Sequence, residues 1–395
     1  MGISTARQVP MQLQLPSSIS IQDFLDDYWQ KQPLLMRRAV PDHDFNLSPE
    51  ELAGLSCEED VESRMVLRHG EKDWELRHGP FDEALFSGLP EQDWTLLVQD
   101  VDKYLPEAAA LLRAFHFIPS WRFDDVMVSY AVPGGSVGPH TDTYDVFLIQ
   151  ARGRRRWQIG NRVKNPGLLP DLPIRVLADF EPEDEWLLEP GDVLYLPPGI
   201  AHWGIGEDGD CMTWSVGLRA PSVPEMLGSF TQYLLDHVPE EVHFTDPALS
   251  PQESPSRIRP EALTVTHRQL DAWLLDNDLR QRWFGCFSTE VKEHLFIEPR
   301  EDTVEPTQLT ALFSGQTWQR HPFSRWAWSE RTGGQGLYLF VCGEVFELPG
   351  NCREKIRLLC DAEQLDETLL QHDSPELLTV LTRLINENWL EPADE

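Results

Sequence analysis

The sequence predicts a mainly β chain that also carries α-helices: an antiparallel barrel or double-sheet roll, then a helical segment, then a small mixed domain. Between about Asp93 and Leu218, short β-rich runs (WTLLVQ, DDVMVSYAV, DVFLIQ, RRWQIG, DVLYLP, MTWSVGL) alternate with Gly, Pro and Asp turns, the cadence of a closed or two-layered antiparallel fold. After Arg219 the stretches PSVPEMLGSFTQYLLDHV, PEALTVTHRQLDAWLLDN and LRQRWFGCFSTEVKEHLF carry helical apolar spacing between Pro-bearing connections. From about Phe287 helices mix with one hairpin, GLYLFVCGEVFELPG. These changes of character divide the chain into 1–220, 221–286 and 287–395.

Composition sets the outer limits. A chain of 395 residues with 41% apolar and 10% aromatic content can bury a large core and exceeds one ordinary domain. No apolar run approaches the ~18 residues that span a bilayer, and MGISTARQVPMQLQLP lacks the apolar centre of a signal peptide. A soluble, cytoplasmic protein is expected. Cys57, Cys211, Cys286, Cys342, Cys352 and Cys360 are scattered, without the CxxC pairs of a zinc site or the density of a disulfide scaffold, and are read as reduced thiols. The formal charge of -33 argues against nucleic acid or anionic lipid, whose phosphates need clustered Lys and Arg. It suits a basic partner, and equally a surface that only confers solubility.

Along the chain, Phe24, Leu25, Tyr28 and Trp29 fall at helical spacing before Pro33, and a short strand follows through Leu34 to Met36. The helices of 221–286 expose more apolar stripe than a single barrel face covers, which predicts a homodimer. In the terminal region the hairpin turns at Cys342, Gly343 and Glu344, and SPELLTVLTRLINENWL forms the last helix. That arrangement is winged-helix-like, but 9 Lys and Arg stand against 20 Asp and Glu from Phe287 onward, so direct DNA binding is not expected. No internal repeat or low-complexity tract interrupts this reading.

The chemistry concentrates in two motifs. PGGSVGPHTDTYDVFLIQ places His140 and Asp142 two residues apart just before an apolar strand, so both side chains can point the same way. LEPGDVLYLPPGIAHW brings His202 after a strand and a Pro-Pro-Gly turn. An HxD pair occurs by chance and a lone His beside Trp203 is ordinarily a packed residue. Together, in one β-rich domain, they supply two imidazoles and a carboxylate, the facial set that leaves positions open on non-heme Fe(II). Those positions need a co-substrate. In DVFLIQARGRRRWQIG, Gly153 marks a turn, and period-two alternation then places Arg155 with Trp157 and Ile159, while Arg154 and Arg156 share the polar face with Gln158. An inward Arg needs a partner, either a core carboxylate or a dicarboxylate ligand. Ser129 in VMVSYAV lies on the preceding strand, with a hydroxyl for that ligand or for a strand neighbour.

FLDDYWQKQPLLMRRA, the HTD pair, the RGRRRW strand and the GDVLYLPPGIAHWG turn together resemble the bacterial ribosomal oxygenases, a JmjC branch of the cupin superfamily. The resemblance covers essentially the whole chain. It implies a double-stranded β-helix (jelly roll), a helical dimerisation segment and a winged-helix-like end. It further implies that His140, Asp142 and His202 bind Fe(II), that Arg155 with Ser129 holds 2-oxoglutarate, and that O2 is the second co-substrate. No catalytic side chain is expected beyond the metal centre. The closest branch hydroxylates the β-carbon of an arginine in the sixteenth large-subunit ribosomal protein. An Arg anchor, where many JmjC enzymes carry Lys, fits that branch and not a histone demethylase. Asp145, just past the iron pair, is placed to meet a substrate guanidinium or to act as a strand-end carboxylate. The same chemistry on a histidyl or asparaginyl residue or a small molecule, and a non-catalytic cupin-like binding protein, are the rival readings.

Overall fold

The computed structural model describes residues 13–40, 45–70, 72–334, 336–371 and 374–393. It divides into two compact units, 1–220 and 221–395.

In the first unit, Ser20 caps a helical turn at Ile21–Asp23 that continues as a π-helical turn at Phe24–Tyr28, and the chain leaves it through a left-handed Gln30 (φ 57°). Eleven strands follow: β1 (Leu34–Met36), β2 (Ser63–Arg68), β3 (Trp74–His78), β4 (Trp94–Val98), β5 (Phe123–Ala131), β6 (Val146–Arg152), β7 (Arg155–Arg162), β8 (Asp184–Leu188), β9 (Val193–Leu196), β10 (Ile200–Gly206) and β11 (Cys211–Leu218). Eight of them form one antiparallel sheet in the order β1-β9-β6-β11-β5-β4-β2-β3, and β10-β7-β8 form a second. The fold is the mainly β, JmjC-type jelly roll expected, enlarged by the strands before β5.

Alternation decides what each face meets. Along β6 and β11, Phe147, Ile149, Met212, Trp214 and Val216 join the helical layer in one large core, with Phe24, Met65, Leu96 and Phe115. Val146, Leu148, Leu194 and Leu196 face the other way, onto Trp157, Ile159 and Ile200 of the small sheet. The barrel interior is therefore apolar at one end. Toward the other end the same inner faces carry Ser129, Gln150, Arg155 and Thr213, all buried.

The second unit is built around β13 (Trp326–Glu330), β14 (Leu337–Val341) and β15 (Glu344–Leu348), with β12 (Trp318–Arg320) paired to β16 (Leu390–Pro392). Cys342 and Gly343, both left-handed (φ 49° and 83°), make the two-residue hairpin turn, the geometry that matches strand twist. The helices Arg353–Asp361 and Pro375–Asn386 close the core over Trp318, Leu339 and Val341, completing the winged-helix arrangement. The boundary expected between 286 and 287 falls inside the helix Asn277–Thr289. That helix belongs to the terminal sheet: the Tyr338 hydroxyl donates to Asp278 at 2.6 Å, and Gly285 lies against Phe340 where no Cβ would fit. Among the described residues, no helix is long and apolar enough to cross a membrane.

Phe147 sits at the junction of sheet and helical layer, its ring 4.7 Å from Phe115 and 5.0 Å from Tyr195. Phe147→Ala is expected to cost about 3–5 kcal/mol, the usual penalty for an aromatic cavity. Urea unfolding measures it, and a loss well under 1 kcal/mol would show that this layer is not part of the barrel's core.

Candidate metal centre

His140, Asp142 and His202 come together although the last lies 62 positions beyond the first. His140 and His202 exchange backbone hydrogen bonds, each N–H donating to the other's carbonyl at 2.9 Å. Facing residues of such a pair project to the same side, so the two imidazole centroids lie 4.2 Å apart. Asp142 follows on the same side. Its carbonyl accepts the Gly199 N–H at 2.8 Å, and its carboxylate lies 3.5 Å from His202 Nε2 and 3.9 Å from His140 Nε2. The candidate ligand atoms are all within 4.8 Å of one another.

The tautomers follow from the backbone. Nδ1 of His140 is 2.9 Å from the Gly138 carbonyl and Nδ1 of His202 is 2.9 Å from that of Ile200. A carbonyl only accepts, so Nδ1 carries a proton in each ring and Nε2 is the nitrogen turned toward Asp142. Burial, followed by the neighbouring His140, pushes the His202 pKa down to about 4, so its imidazole is neutral at physiological pH. Two imidazoles and one carboxylate are the donor set that fits non-heme Fe(II). Gly138 allows this approach: its φ is +81°, and a Cβ there would press on Trp74 and Val176.

Arg155 points inward and is 6% exposed, while Arg154 and Arg156 pair outside with Asp208, Glu185 and Glu207. Its Nε donates to the Cys211 thiol at 3.4 Å and its Nη1 to Ser129 Oγ at 3.3 Å, whereas Nη2 is buried without a partner. No carboxylate pairs with it among the described residues, so the internal ion pair that sequence allowed as an alternative is not formed. Since Cys211 occupies the one Nε–H, the end of the guanidinium, Nη1 and Nη2, is the edge left for an anion. Ser129 also meets its strand neighbour, the Thr213 carbonyl, at 3.4 Å.

Asp145 does not face the metal side, where sequence placed it to meet a substrate guanidinium. Period two along β6 places it with Phe147 and Ile149, away from the metal side, and it is fully buried. Its carboxylate accepts from the Tyr195 hydroxyl at 2.6 Å and Gln30 Nε2 at 2.9 Å, with Arg122 Nη2 at 3.5 Å. It ties the N-terminal turn to the barrel and is not presented to a substrate. Conversely, sequence reasoning passed over Cys211, Thr213 and Gln150. The alternation in CMTWSVGL, small or polar against Met, Trp and Val, carried the signal for the first two.

Fold and donor set together define a JmjC-type oxygenase, and the comparisons agree. A family model described as a JmjC domain matches residues 110–226, and one described as a ROXA-like winged helix matches 267–391. The Escherichia coli ribosomal protein uL16 3-hydroxylase is 38% identical over 301 residues, covering 74% of this chain and 78% of that protein. A probable ribosomal oxygenase of Haemophilus influenzae is 41% identical over 220 residues, 55% of this chain and 54% of its own. The crystal structure of E. coli YcfD superposes with a TM-score of 0.86 at 32% identity, covering 97% of this chain and all of that one. YcfD in complex with cobalt and 2-oxoglutarate gives 0.83 at 32% identity, again over 97% and 100%. The chain belongs to the JmjC ribosomal oxygenases.

His140→Ala, Asp142→Ala and His202→Ala are each expected to abolish turnover while the fold is retained. Normal turnover by any one of them removes that residue from the metal site. Asp145→Ala should behave in the opposite sense: a stability loss of roughly 2–5 kcal/mol from the orphaned donors, with an unchanged KM for the protein substrate.

Proposed function

We propose that this protein is an Fe(II)- and 2-oxoglutarate-dependent protein hydroxylase that acts on the β-carbon of an arginine in the large-subunit ribosomal protein uL16. The observation that carries the reading is Arg155: a buried guanidinium without a carboxylate partner among the described residues, on β7, one hairpin after the strand that follows the His140/Asp142 loop. A desolvated cation in that position calls for an anionic ligand. The relatives supply its identity, since YcfD is known in complex with 2-oxoglutarate and the E. coli relative is named for hydroxylation of uL16.

In this reading His140, Asp142 and His202 hold the metal through Nε2 and carboxylate. Bound iron, with dioxygen and 2-oxoglutarate, supplies oxidative decarboxylation of the co-substrate to succinate and carbon dioxide and delivery of oxygen to a C–H bond. The chain's own part is positional. Arg155 receives the distal carboxylate on Nη1 and Nη2, Ser129 steadies Nη1, and the carbonyls of Gly138 and Ile200 keep both imidazoles in the ligating tautomer. The charge of -33 draws in a basic ribosomal segment. Cytoplasmic residence follows from such a substrate.

A homodimer through the 221–286 helices is part of the same proposal. The helix Pro260–Leu274 has no buried residue, and Val223, Leu227, Leu235, Leu263 and Leu270 are each at least half exposed. An amphipathic helix left uncovered along its apolar stripe is an interface in waiting.

Intact-mass analysis of ribosomal proteins from cells with and without the gene tests the substrate: a gain of one oxygen on uL16, localised to an arginine, is expected, and its absence overturns the assignment. Arg155→Ala should raise the 2-oxoglutarate requirement several hundred-fold, from the ~3–5 kcal/mol of a broken buried charge pair. Iron binding should change little, and Arg155→Lys should recover only part of the affinity. An unaltered 2-oxoglutarate titration of a folded Arg155→Ala protein would remove the anchor. Light scattering at micromolar concentration should give twice the chain mass of 45.4 kDa, and a monomer would contradict the helical interface.

A further inference from the structure

Arg155 Nη2 is not the only unpartnered donor inside the barrel. Two residues along the same strand face, Trp157 is 4% exposed and its indole Nε1 is buried with no hydrogen-bond partner among the described residues. The indole lies between the two ends of the site: its ring is 5.8 Å from the Arg155 guanidinium carbon on one side and 5.8 Å from the His202 ring on the other. The opposing strand makes room for it, because Gly204 faces Trp157 in register and a Cβ there would come within 2.7–2.9 Å of the benzo edge of the indole. A side chain held this closely is not free to swing its N–H to another acceptor.

An N–H sealed in an apolar wall without an acceptor is costly, and such groups are rare unless a ligand completes them. Packing alone would be met by Phe, which carries no donor. Building on the proposed 2-oxoglutarate site, we infer that Trp157 is a second donor to the dicarboxylate: its Nε1–H bonds a carboxylate oxygen of the ligand lying between Arg155 and the metal. The cleft of Gly204 fixes the ring, the guanidinium holds one end of the ligand, and the indole N–H selects ligands with an acceptor alongside. Trp157 acts on binding and not on the bond-breaking steps.

The test is direct titration of 2-oxoglutarate, and separately of succinate, into the full-length protein loaded with Mn(II) without oxygen. Binding is followed by calorimetry and by the ligand-induced shift in Tm. Three proteins are compared: wild type, Trp157→Phe, and a protein carrying 3-benzothienylalanine at position 157, which keeps the bicyclic shape and removes the N–H. Both altered proteins are expected to bind either dicarboxylate about tenfold more weakly or worse. Their Mn(II) affinity should match wild type. Their ligand-free Tm should be unchanged or higher in the benzothienyl protein, because an unsatisfied buried donor has been removed. Equal dicarboxylate affinity in the benzothienyl protein overturns the inference, while wild-type binding in the same experiment leaves the oxygenase reading standing. Failure of wild type itself to bind 2-oxoglutarate defeats both. Unchanged dicarboxylate binding accompanied by weaker binding of a uL16 peptide also overturns it, by assigning the N–H to the protein substrate.

Discussion

The reciprocal backbone hydrogen bonds between His140 and His202 are the constraint on which the site depends. They fasten the loop after β5 to β10 of the small sheet. The same pair decides the direction and spacing of two candidate ligands, because both follow from where the backbone N–H and carbonyl groups of 138–142 and 199–202 are spent. The candidate metal set is thus positioned by main-chain geometry, which Gly138 and Gly199 make possible with φ of 81° and 79°. What the sequence adds is the choice of imidazole and carboxylate at those positions.

Around that clip the charges are sorted by the wall. The surface is strongly acidic, with β7 turning Arg154 and Arg156 outward into pairs with Asp208, Glu185 and Glu207. One residue between them, Arg155, turns inward and donates to a thiol and a hydroxyl beside the Trp157 ring. In the proposed function, a basic macromolecule meets the outside of this strand and a small dianion the inside, so a single strand separates the two demands. A carboxylate in place of Cys211 or Ser129 would satisfy Arg155 internally and abolish that division.

Much of this was legible from residue order, and the failures have physical reasons. Strand alternation identifies Arg155 as the inward arginine among three, and the HxD spacing with the Pro-Pro-Gly turn points to the three residues that the structure brings together, because both depend on local periodicity. Asp145 was misplaced in part because the same periodicity was not carried one strand further: it shares a face with Phe147, and its partners Gln30 and Tyr195 lie 115 and 50 positions away. The orphaned Nε1 of Trp157 was invisible for a similar reason, since it depends on Gly204 of a paired strand. The boundary at 286 missed because Gly285 and Asp278 find Phe340 and Tyr338 only after the terminal sheet has formed.

The sheet order carries one more consequence, for how such a protein can be taken apart. The family signature occupies residues 110–226, yet β1 runs beside β9 and the strands β4, β2 and β3 extend the same sheet beyond β5. Cutting at the signature would bare the hydrogen-bonding edges of β5 and β9 and strip Phe24, Met65 and Leu96 from the face of Phe147 and Trp214. The segment that bears the candidate ligands is therefore not a transplantable cassette. Its chemistry travels only with the hundred or so preceding residues that finish its walls, so grafting this centre onto another scaffold means carrying the whole first unit along.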